Sequence, residues 1–212
     1  MMKKFLIPIV VLTLIACNNS SDEEKTTNDT LTLSGEPGTG SKALLAENAF
    51  ARFLSTADSS YSIEKFESTG SHPLPGMESP LDTTSIAGYQ NLLVYNHDQT
   101  RAVDLFSYGT VLEDKKVEGG EPDSEAALLD FTSKKRIRLL YFGPSYGFTD
   151  AAFENNNIVI GGYERISDEK WRPVFWVIDL GANSVETFEY QDTLAVPFNR
   201  FFEQRYPDYR FF

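Results

Sequence analysis

Three segments of the chain share one order of features: an apolar run, a polar turn and a second apolar run. They cover residues 92–106, 127–141 and 175–190. The first apolar run of each segment ends at a residue type that favours turns: Asn96, Asp130 and Asp179. Short apolar runs that are separated by a polar turn are typical of β-hairpins. The sequence therefore predicts three β-hairpins and a mainly β fold.

Residues 146–190 extend the third hairpin towards the N-terminus. Two further strand-like stretches precede it: 148–153 and 158–163. The whole segment resembles one four-stranded blade of a β-propeller, with Asp179 in its outer hairpin. A propeller needs at least about four blades of roughly 40 to 50 residues each, and residues 86–190 have room for about two and a half. We therefore expect an antiparallel meander that forms a sandwich or a partial barrel.

Two amphipathic helices are predicted to pack on this sheet, one from each end of the folded body. Residues 42–54 follow Ser41, a residue type that caps helices, and place apolar side chains three and four positions apart. Near the C-terminus, Pro197 suits the first position of a helix. The residues after it put aromatic side chains on one helix face: Phe198, Phe201, Phe202 and Tyr206. The proline-rich residues 70–85 are expected to form a long loop.

The first 16 residues have the parts of a secretory signal peptide. Lys3 and Lys4 give a basic start, an apolar run covers residues 5–15, and the small residue Ala16 follows. A membrane span takes about 20 apolar residues, so this run is too short to be one. We expect residues 1–16 to be removed.

The single cysteine of the chain, Cys17, directly follows this leader. The block Leu14-Ile15-Ala16-Cys17 resembles the lipobox of bacterial lipoproteins. That resemblance implies cleavage before Cys17, diacylation of its thiol and N-acylation, with fatty acids such as palmitate holding the protein on a membrane. Several acyl chains anchor a protein far better than one, which binds only marginally. The alternative is an ordinary secretory leader with a chance cysteine, which then has no disulfide partner.

Residues 18–24 are polar and then acidic. They look like the surface-export signal of Bacteroidota lipoproteins; the alternative is a solvated linker. The resulting location is the cell envelope, as an outer-membrane lipoprotein on the periplasmic face or the cell surface. Residues 17–40 are expected to be the lipidated cysteine and a disordered acidic linker. Residues 41–212 are expected to form a single β-rich domain.

The charge of the chain excludes nucleic acids as partners. Loss of residues 1–16 removes two of 19 basic side chains and none of the 31 acidic ones, so the formal charge changes from −12 to −14. Such a surface repels phosphates, and it offers no basic patch for anionic lipids.

Catalytic, cofactor and metal signatures are missing from the sequence, so we expect none of these sites. His72 and His97 have no ligand-spaced partner, and neither a serine elbow nor a phosphate loop occurs. The acidic residues 118–125 favour a solvated turn over a calcium loop, because they lack the EF-hand spacing. A glycosidase needs two facing carboxylates, and three candidates lie near predicted turns: Asp150, Glu164 and Asp179.

Aromatic residues in predicted loops are the remaining candidates for binding. Tyr146 and Phe148 follow a Gly-Pro turn, and Trp171 stands in a polar connection. Such rings stack on sugars or insert into a partner's pocket; the alternative is that they fold back over a sheet edge. The sequence thus favours a non-enzymatic, lipid-anchored envelope protein that binds a protein or glycan partner. The alternatives are a glycan hydrolase with a carboxylate pair and a structural subunit of an outer-membrane assembly.

Overall fold

The computed structural model describes residues 39–120, 122–195 and 198–211. In these ranges the chain forms three α-helices: α1 (Thr39–Glu47), α2 (Ala49–Ala57) and α3 (Phe198–Arg205). The same ranges contain thirteen β-strands: β1 (Phe66–Pro73), β2 (Glu78–Pro80), β3 (Val94–Tyr95), β4 (Arg101–Asp104), β5 (Thr110–Glu113), β6 (Lys116–Gly119), β7 (Ser124–Asp130), β8 (Lys135–Phe142), β9 (Tyr146–Glu154), β10 (Asn157–Arg165), β11 (Trp171–Asp179), β12 (Ser184–Tyr190) and β13 (Arg210–Phe211). The fold is mainly β, as predicted.

All three predicted hairpins are present. β3 pairs with β4, β7 with β8, and β11 with β12, each pair antiparallel. A fourth antiparallel pair, β9 with β10, precedes the third hairpin. The β-branched run of β10 suits a strand that is buried on both faces, and its three side chains are buried: Ile158, Val159 and Ile160. The predicted antiparallel architecture is therefore confirmed.

The strands form two five-stranded sheets and a smaller third one. Sheet 1 has the order β1-β12-β11-β10-β9, and sheet 2 has the order β2-β8-β7-β4-β3. The third sheet has the order β13-β6-β5, with β13 parallel to β6. Within the described ranges no sheet closes on itself. The two larger sheets share one hydrophobic core in a sandwich-like arrangement.

The expectation of a continuous loop over residues 70–85 is wrong, because two strands lie there. β1 extends to Pro73, and β2 ends at Pro80. Each strand is the outermost one of its sheet and each proline is the last residue of its strand. Proline is tolerated at sheet edges and strand ends, where its missing N–H interrupts no ladder.

Sheets 1 and 2 are built from the same unit. In each sheet two hairpins form a four-stranded meander, and a strand from earlier in the chain is added at its outer edge. The outer hairpins have the same register near the turn, because Asp179 pairs with Ser184 as Asp130 pairs with Lys135. The β5–β6 hairpin of the third sheet is inserted in the unit of sheet 2, between β4 and β7, whereas its third strand, β13, follows α3.

The turns of the two units are also equivalent. Asp179 and Asp130 each accept two backbone N–H hydrogen bonds, between 2.8 and 3.0 Å, from the residues two and three positions later. Each turn ends in the left-handed region, with φ 54° at Asn183 and 56° at Lys134. The residue after each outer-strand proline donates its N–H to the carbonyl of that left-handed residue, at 3.0 and 2.9 Å. The two sheets are therefore an internal structural duplication.

The structure has two helices where the sequence predicts one over residues 42–54, because the helix is interrupted at Asn48. The Asn48 side chain accepts a hydrogen bond from the N–H of Phe50 at 2.9 Å and so caps α2. Its amide donates to the carbonyl of Val159 in β10 at 3.3 Å. The ring of Phe50 lies 6.0 Å from that of Phe175 in β11.

The C-terminal helix α3 begins at Phe198 within the described residues, and the predicted opening residue Pro197 lies outside them. The predicted aromatic side chains of α3 are buried: Phe198, Phe201 and Phe202. Phe201 contacts the ring of Phe50 edge-on at 5.3 Å. Tyr206, directly after α3, is also buried.

Aromatic side chains join the two sheets. Phe142 of β8 stacks on Trp176 of β11 with ring centroids 5.1 Å apart. Gly162 of β10 allows a close approach beside this stack. A Cβ at Gly162 would clash with the carbonyl oxygen of Gly147 and would lie 2.9 Å from the Trp176 ring.

The predictions for the leader, for Cys17 and for most of the linker concern residues 1–38, which lie outside the described residues. Thr39 and Gly40, which are predicted to belong to the linker, are part of α1. Among the helices described, none combines the length and hydrophobicity needed to cross a membrane.

Candidate functional site

A cleft of about 630 Å³ opens on one face of sheet 2. Its floor comes from β7 and β8, and its walls come from residues 81–89 and from the chain between β4 and β5. Six residues define this polar cleft: Tyr89, Asp104, Tyr108, Glu125, Arg136 and Arg138. The volume is within the range of about 300 to 1,000 Å³ that is usual for small-molecule sites.

Glu125 places a buried charge on the floor of the polar cleft. Its side chain is 0% exposed, and its two oxygens bind different arginines: Oε1 pairs with Arg136 and Oε2 with Arg138, whose Nε lies at 2.6 Å. Arg136 and Arg138 are two residues apart on β8, so both side chains leave the same face of the strand. Their side chains are 26% and 25% exposed. The carboxylate is thus fully paired, while the arginines keep contact with the cleft.

Asp104 is the second buried acid of the polar cleft, at 2% exposure. Its Oδ1 accepts hydrogen bonds from the N–H groups of Phe106 and Ser107 at 3.1 and 3.0 Å. Its Oδ2 accepts from the hydroxyl of Ser107 and from that of Tyr89 at 3.4 Å. Burial raises the pKa of Tyr89 to about 12, and the charge of Asp104 adds to this rise. Tyr89 is therefore a neutral donor at physiological pH.

The equivalent positions of sheet 1 carry no charge. The register of the outer hairpins gives three pairs of equivalent residues: Glu125 with Val174, Arg136 with Val185, and Arg138 with Thr187. Val174 and Val185 are 1% and 0% exposed. On sheet 1 this face is covered by Phe142 of sheet 2, whereas on sheet 2 it carries the polar cleft. The backbone of the unit therefore does not require charges at these positions.

A second groove, of about 270 Å³, lies where the two sheets meet. Four of its lining residues are His72, Phe142, Tyr146 and Trp176. The ring of Phe142 lies 4.9 Å from that of Tyr146. Burial raises the pKa of Tyr146, and the nearby charge of Glu164 contributes. Because Trp176 is 1% exposed, the rings with accessible surface among these four residues are those of His72, Phe142 and Tyr146.

The structure does not bring the predicted ligand-binding aromatics together on one surface. Tyr146 begins β9 and lines the second groove. Phe148 is 5% exposed and contacts Trp176 edge-on at 5.3 Å, so its ring belongs to the core. Trp171 begins β11, is half-buried, and packs edge-on against Phe198 at 5.2 Å.

The three predicted carboxylates are separated as well. Asp179 caps its turn, and Glu164 forms an ion pair with Arg172 at 3.2 Å. Asp179 and Glu164 lie at opposite ends of β10, seven residues apart in register, which corresponds to about 23 Å. These two side chains therefore do not face each other in one cleft.

Asp150 of β9 forms the link to the C-terminal helix. It is 2% exposed and binds Nε of Arg205 at 3.0 Å. Burial raises the pKa of the Asp150 carboxyl, and the positive charge of Arg205 offsets only part of this rise. Asp150 thus forms a structural ion pair with Arg205.

The two histidines and the acidic residues 118–125 lie in different parts of the structure. His72 belongs to the edge strand β1, and His97 is exposed in the turn between β3 and β4. Of residues 118–125, Glu121 lies outside the described residues, and Glu125 is the buried acid of the polar cleft. Among the described residues no group of three or more His, Cys, Asp or Glu side chains is placed to hold a metal ion.

The residues of the polar cleft were missed from the sequence, although one signal was present. Arg136 and Arg138 alternate with apolar residues on a strand predicted to return from a turn. Two positive charges on one strand face, opposite a strand that contains Glu125, indicate an ion-paired cluster. The pairing register was needed to see it.

Comparison of the chain with protein-family models, curated proteins and solved structures found no match.

Proposed function

We propose that this chain is a lipid-anchored cell-envelope protein whose β domain is a binding module, with the ligand in the polar cleft. The observation that carries the proposal is the charged cluster of Glu125, Arg136 and Arg138 at positions where the duplicated unit has uncharged side chains. Replacing a buried ion-pair cluster by apolar residues is often neutral or stabilising. We therefore attribute the charged cluster to ligand binding.

An alternative explanation of the charged cluster is that sheet 2 is the terminal repeat of a stack, because terminal repeats turn a polar face to solvent. That explanation would account for charges that are exposed to solvent. Here the side chain of Glu125 is 0% exposed and the charged groups line a concave surface. Concave sites with a few fixed polar groups are typical of ligand binding.

Two further features support binding over catalysis in the polar cleft. Both oxygens of Glu125 are held by arginines, and both oxygens of Asp104 accept hydrogen bonds from the protein. A general acid or base must exchange a proton with substrate, and neither carboxylate has a free oxygen for that. The hydrolase alternative would have to break one of these networks.

The architecture that we propose is a sandwich of the two units with the helices as its cover. The contacts of Phe50 with Phe175 and with Phe201 support this role for α2 and α3. The helices lie over the face of sheet 1 that contains Phe175, which leaves the polar cleft of sheet 2 uncovered.

The anchor is tested by fractionation of cells that express Cys17→Ala. We expect the variant to stay unprocessed or to leave the membrane fraction, because the acylated thiol is lost. A Cys17→Ala protein with a normally cleaved leader and an unchanged membrane fraction would contradict the lipoprotein proposal.

Binding is tested by hydrogen exchange on the full chain in mild detergent, with purified envelope polysaccharide or envelope protein added. We expect added ligand to protect residues 81–89 and 135–142, which border the polar cleft, and to leave the turn at Asp179 unchanged. No protection at the cleft with either fraction would contradict the proposed site. Release of new reducing ends from the polysaccharide would favour the hydrolase instead.

A further inference from the structure

We infer that the ligand of the polar cleft is a neutral oligosaccharide. This inference rests on the proposed binding function and adds the chemical class of the ligand. Charge balance, unused hydrogen-bond donors and an accessible aromatic ring carry it.

The polar cleft holds three carboxylates and two arginines, a formal charge of −1, and leaves no site for an ion. Glu125 is paired with Arg136 and Arg138, and Asp104 is hydrogen-bonded within the protein. Asp82 adds one more negative charge at the rim. A cation would find both buried carboxylates already paired or hydrogen-bonded. An anion would meet three carboxylates beside two arginines that are already neutralised in part. A ligand without net charge fits this arrangement best.

Arg136 supplies directed hydrogen-bond donors. Its Nη1 binds Glu125, and within the described ranges Glu125 is its one acceptor. A guanidinium has five N–H donors in a rigid fork, so Nε and Nη2 remain for a ligand. Arg138 is more fully used, because its Nη1 also contacts the sulfur of Met77 at 3.4 Å. Sugar hydroxyls accept such hydrogen bonds in pairs from adjacent carbons.

Tyr108 supplies an aromatic surface at the same place. Its half-buried ring lines the polar cleft and is held edge-on by Tyr141, with centroids 5.6 Å apart. Apolar side chains of Leu81 and Leu112 complete the lining. A sugar ring presents C–H groups on its faces and hydroxyls around its rim. The cleft offers apolar and aromatic walls around fixed polar groups, which is the matching pattern.

The test is titration calorimetry of the full chain in mild detergent with four kinds of probe. Neutral hexasaccharides of glucan, mannan, galactan and chitin type form the first set. Oligogalacturonate, inorganic phosphate and a mixed hexapeptide library are the comparison probes. We expect a neutral hexasaccharide to bind, and Arg136→Met or Tyr108→Ala to weaken it by about tenfold or more, the effect of losing one charged hydrogen bond or one ring contact.

Two variants outside the polar cleft are the matched controls. Arg172→Met removes an ion-paired arginine of sheet 1, which binds the carboxylates of Glu164 and Glu189. Tyr95→Ala removes an exposed ring on β3. Both controls should bind as wild type does, and equal weakening by these controls would overturn the inference.

Failure of the inference and failure of the proposed function give different results. Binding of oligogalacturonate, phosphate or peptide that Arg136→Met abolishes would overturn the neutral class and keep the polar cleft as a binding site. If no neutral hexasaccharide binds while envelope polysaccharide or protein still protects residues 81–89 from exchange, the inference alone is wrong. Absence of that protection with both envelope fractions would overturn the proposed function as well.

Discussion

Removal of the two cleft arginines should lower the free energy of unfolding, because the buried charge of Glu125 then has no partner. The double variant Arg136→Val, Arg138→Thr installs the residues of sheet 1 and leaves Glu125, whose side chain is 0% exposed, without a partner. Leaving a buried charge unpaired costs about 3 to 5 kcal/mol. Because the shortened side chains admit water from the cleft, we expect the lower value, about 3 kcal/mol.

The assay is urea unfolding followed by tryptophan fluorescence from Trp171 and Trp176. With an m-value of about 2 kcal/mol/M, the expected loss lowers the urea midpoint by about 1.5 M.

Adding Glu125→Val to this double variant should recover most of the loss. The triple variant carries at these three positions what the duplicated unit carries at Val174, Val185 and Thr187. We expect it to regain about 2 of the 3 kcal/mol, since an uncharged replacement removes the desolvation cost. A double variant as stable as wild type, or a triple variant less stable than the double, would refute the account of the cluster.

Three further predictions concern the fold. Gly162→Ala should destabilise the protein by about 1 to 3 kcal/mol through overpacking. The control Gly119→Ala, where a Cβ meets nothing within 4 Å, should change stability by less than about 0.5 kcal/mol. Equal urea midpoints for the two variants would contradict the close packing around Gly162. Asp130→Ala and Asp179→Ala should each cost about 1 to 2 kcal/mol, because each removes the acceptor of two backbone N–H groups; a large loss at one position alone would argue against equivalent turns. Asp150→Asn should become less stable relative to wild type as the pH falls from 7 towards 4. The pKa of Asp150 is raised above 3.8 in the folded state, so the folded wild type binds the proton more tightly than the unfolded chain and gains stability as the pH falls. A difference in urea stability that does not change with pH would contradict this.

The hairpins could be predicted because their signals are local. Asp130 and Asp179 mark the turns, and the apolar runs before them mark the strands. The third sheet was missed because the turn of its hairpin carries no glycine signal. Asp114 and Lys115 both adopt positive φ, 47° and 62°. Two-residue turns with this conformation usually have the sequence Asn-Gly or Asp-Gly.

The polar cleft could not be predicted because it depends on long-range register. Arg136 and Arg138 were visible as an alternating pair, but their approach to Glu125 depends on how β7 pairs with β8. The burial of Phe148 could not be predicted for a related reason. Phe148 stands next to a predicted loop in the sequence and is nevertheless buried, because β9 begins at Tyr146 and turns Phe148 into the core. Periodicity indicates which residues form a strand, and only packing decides which face is covered.

The most direct test of the central claim is the affinity of the triple variant for envelope polysaccharide, measured beside wild type by calorimetry. We expect the folded triple variant, with Glu125, Arg136 and Arg138 replaced, to have lost binding, while wild type and Arg172→Met bind equally well. A triple variant that is folded and binds with unchanged affinity would contradict the claim that this cluster is the ligand site.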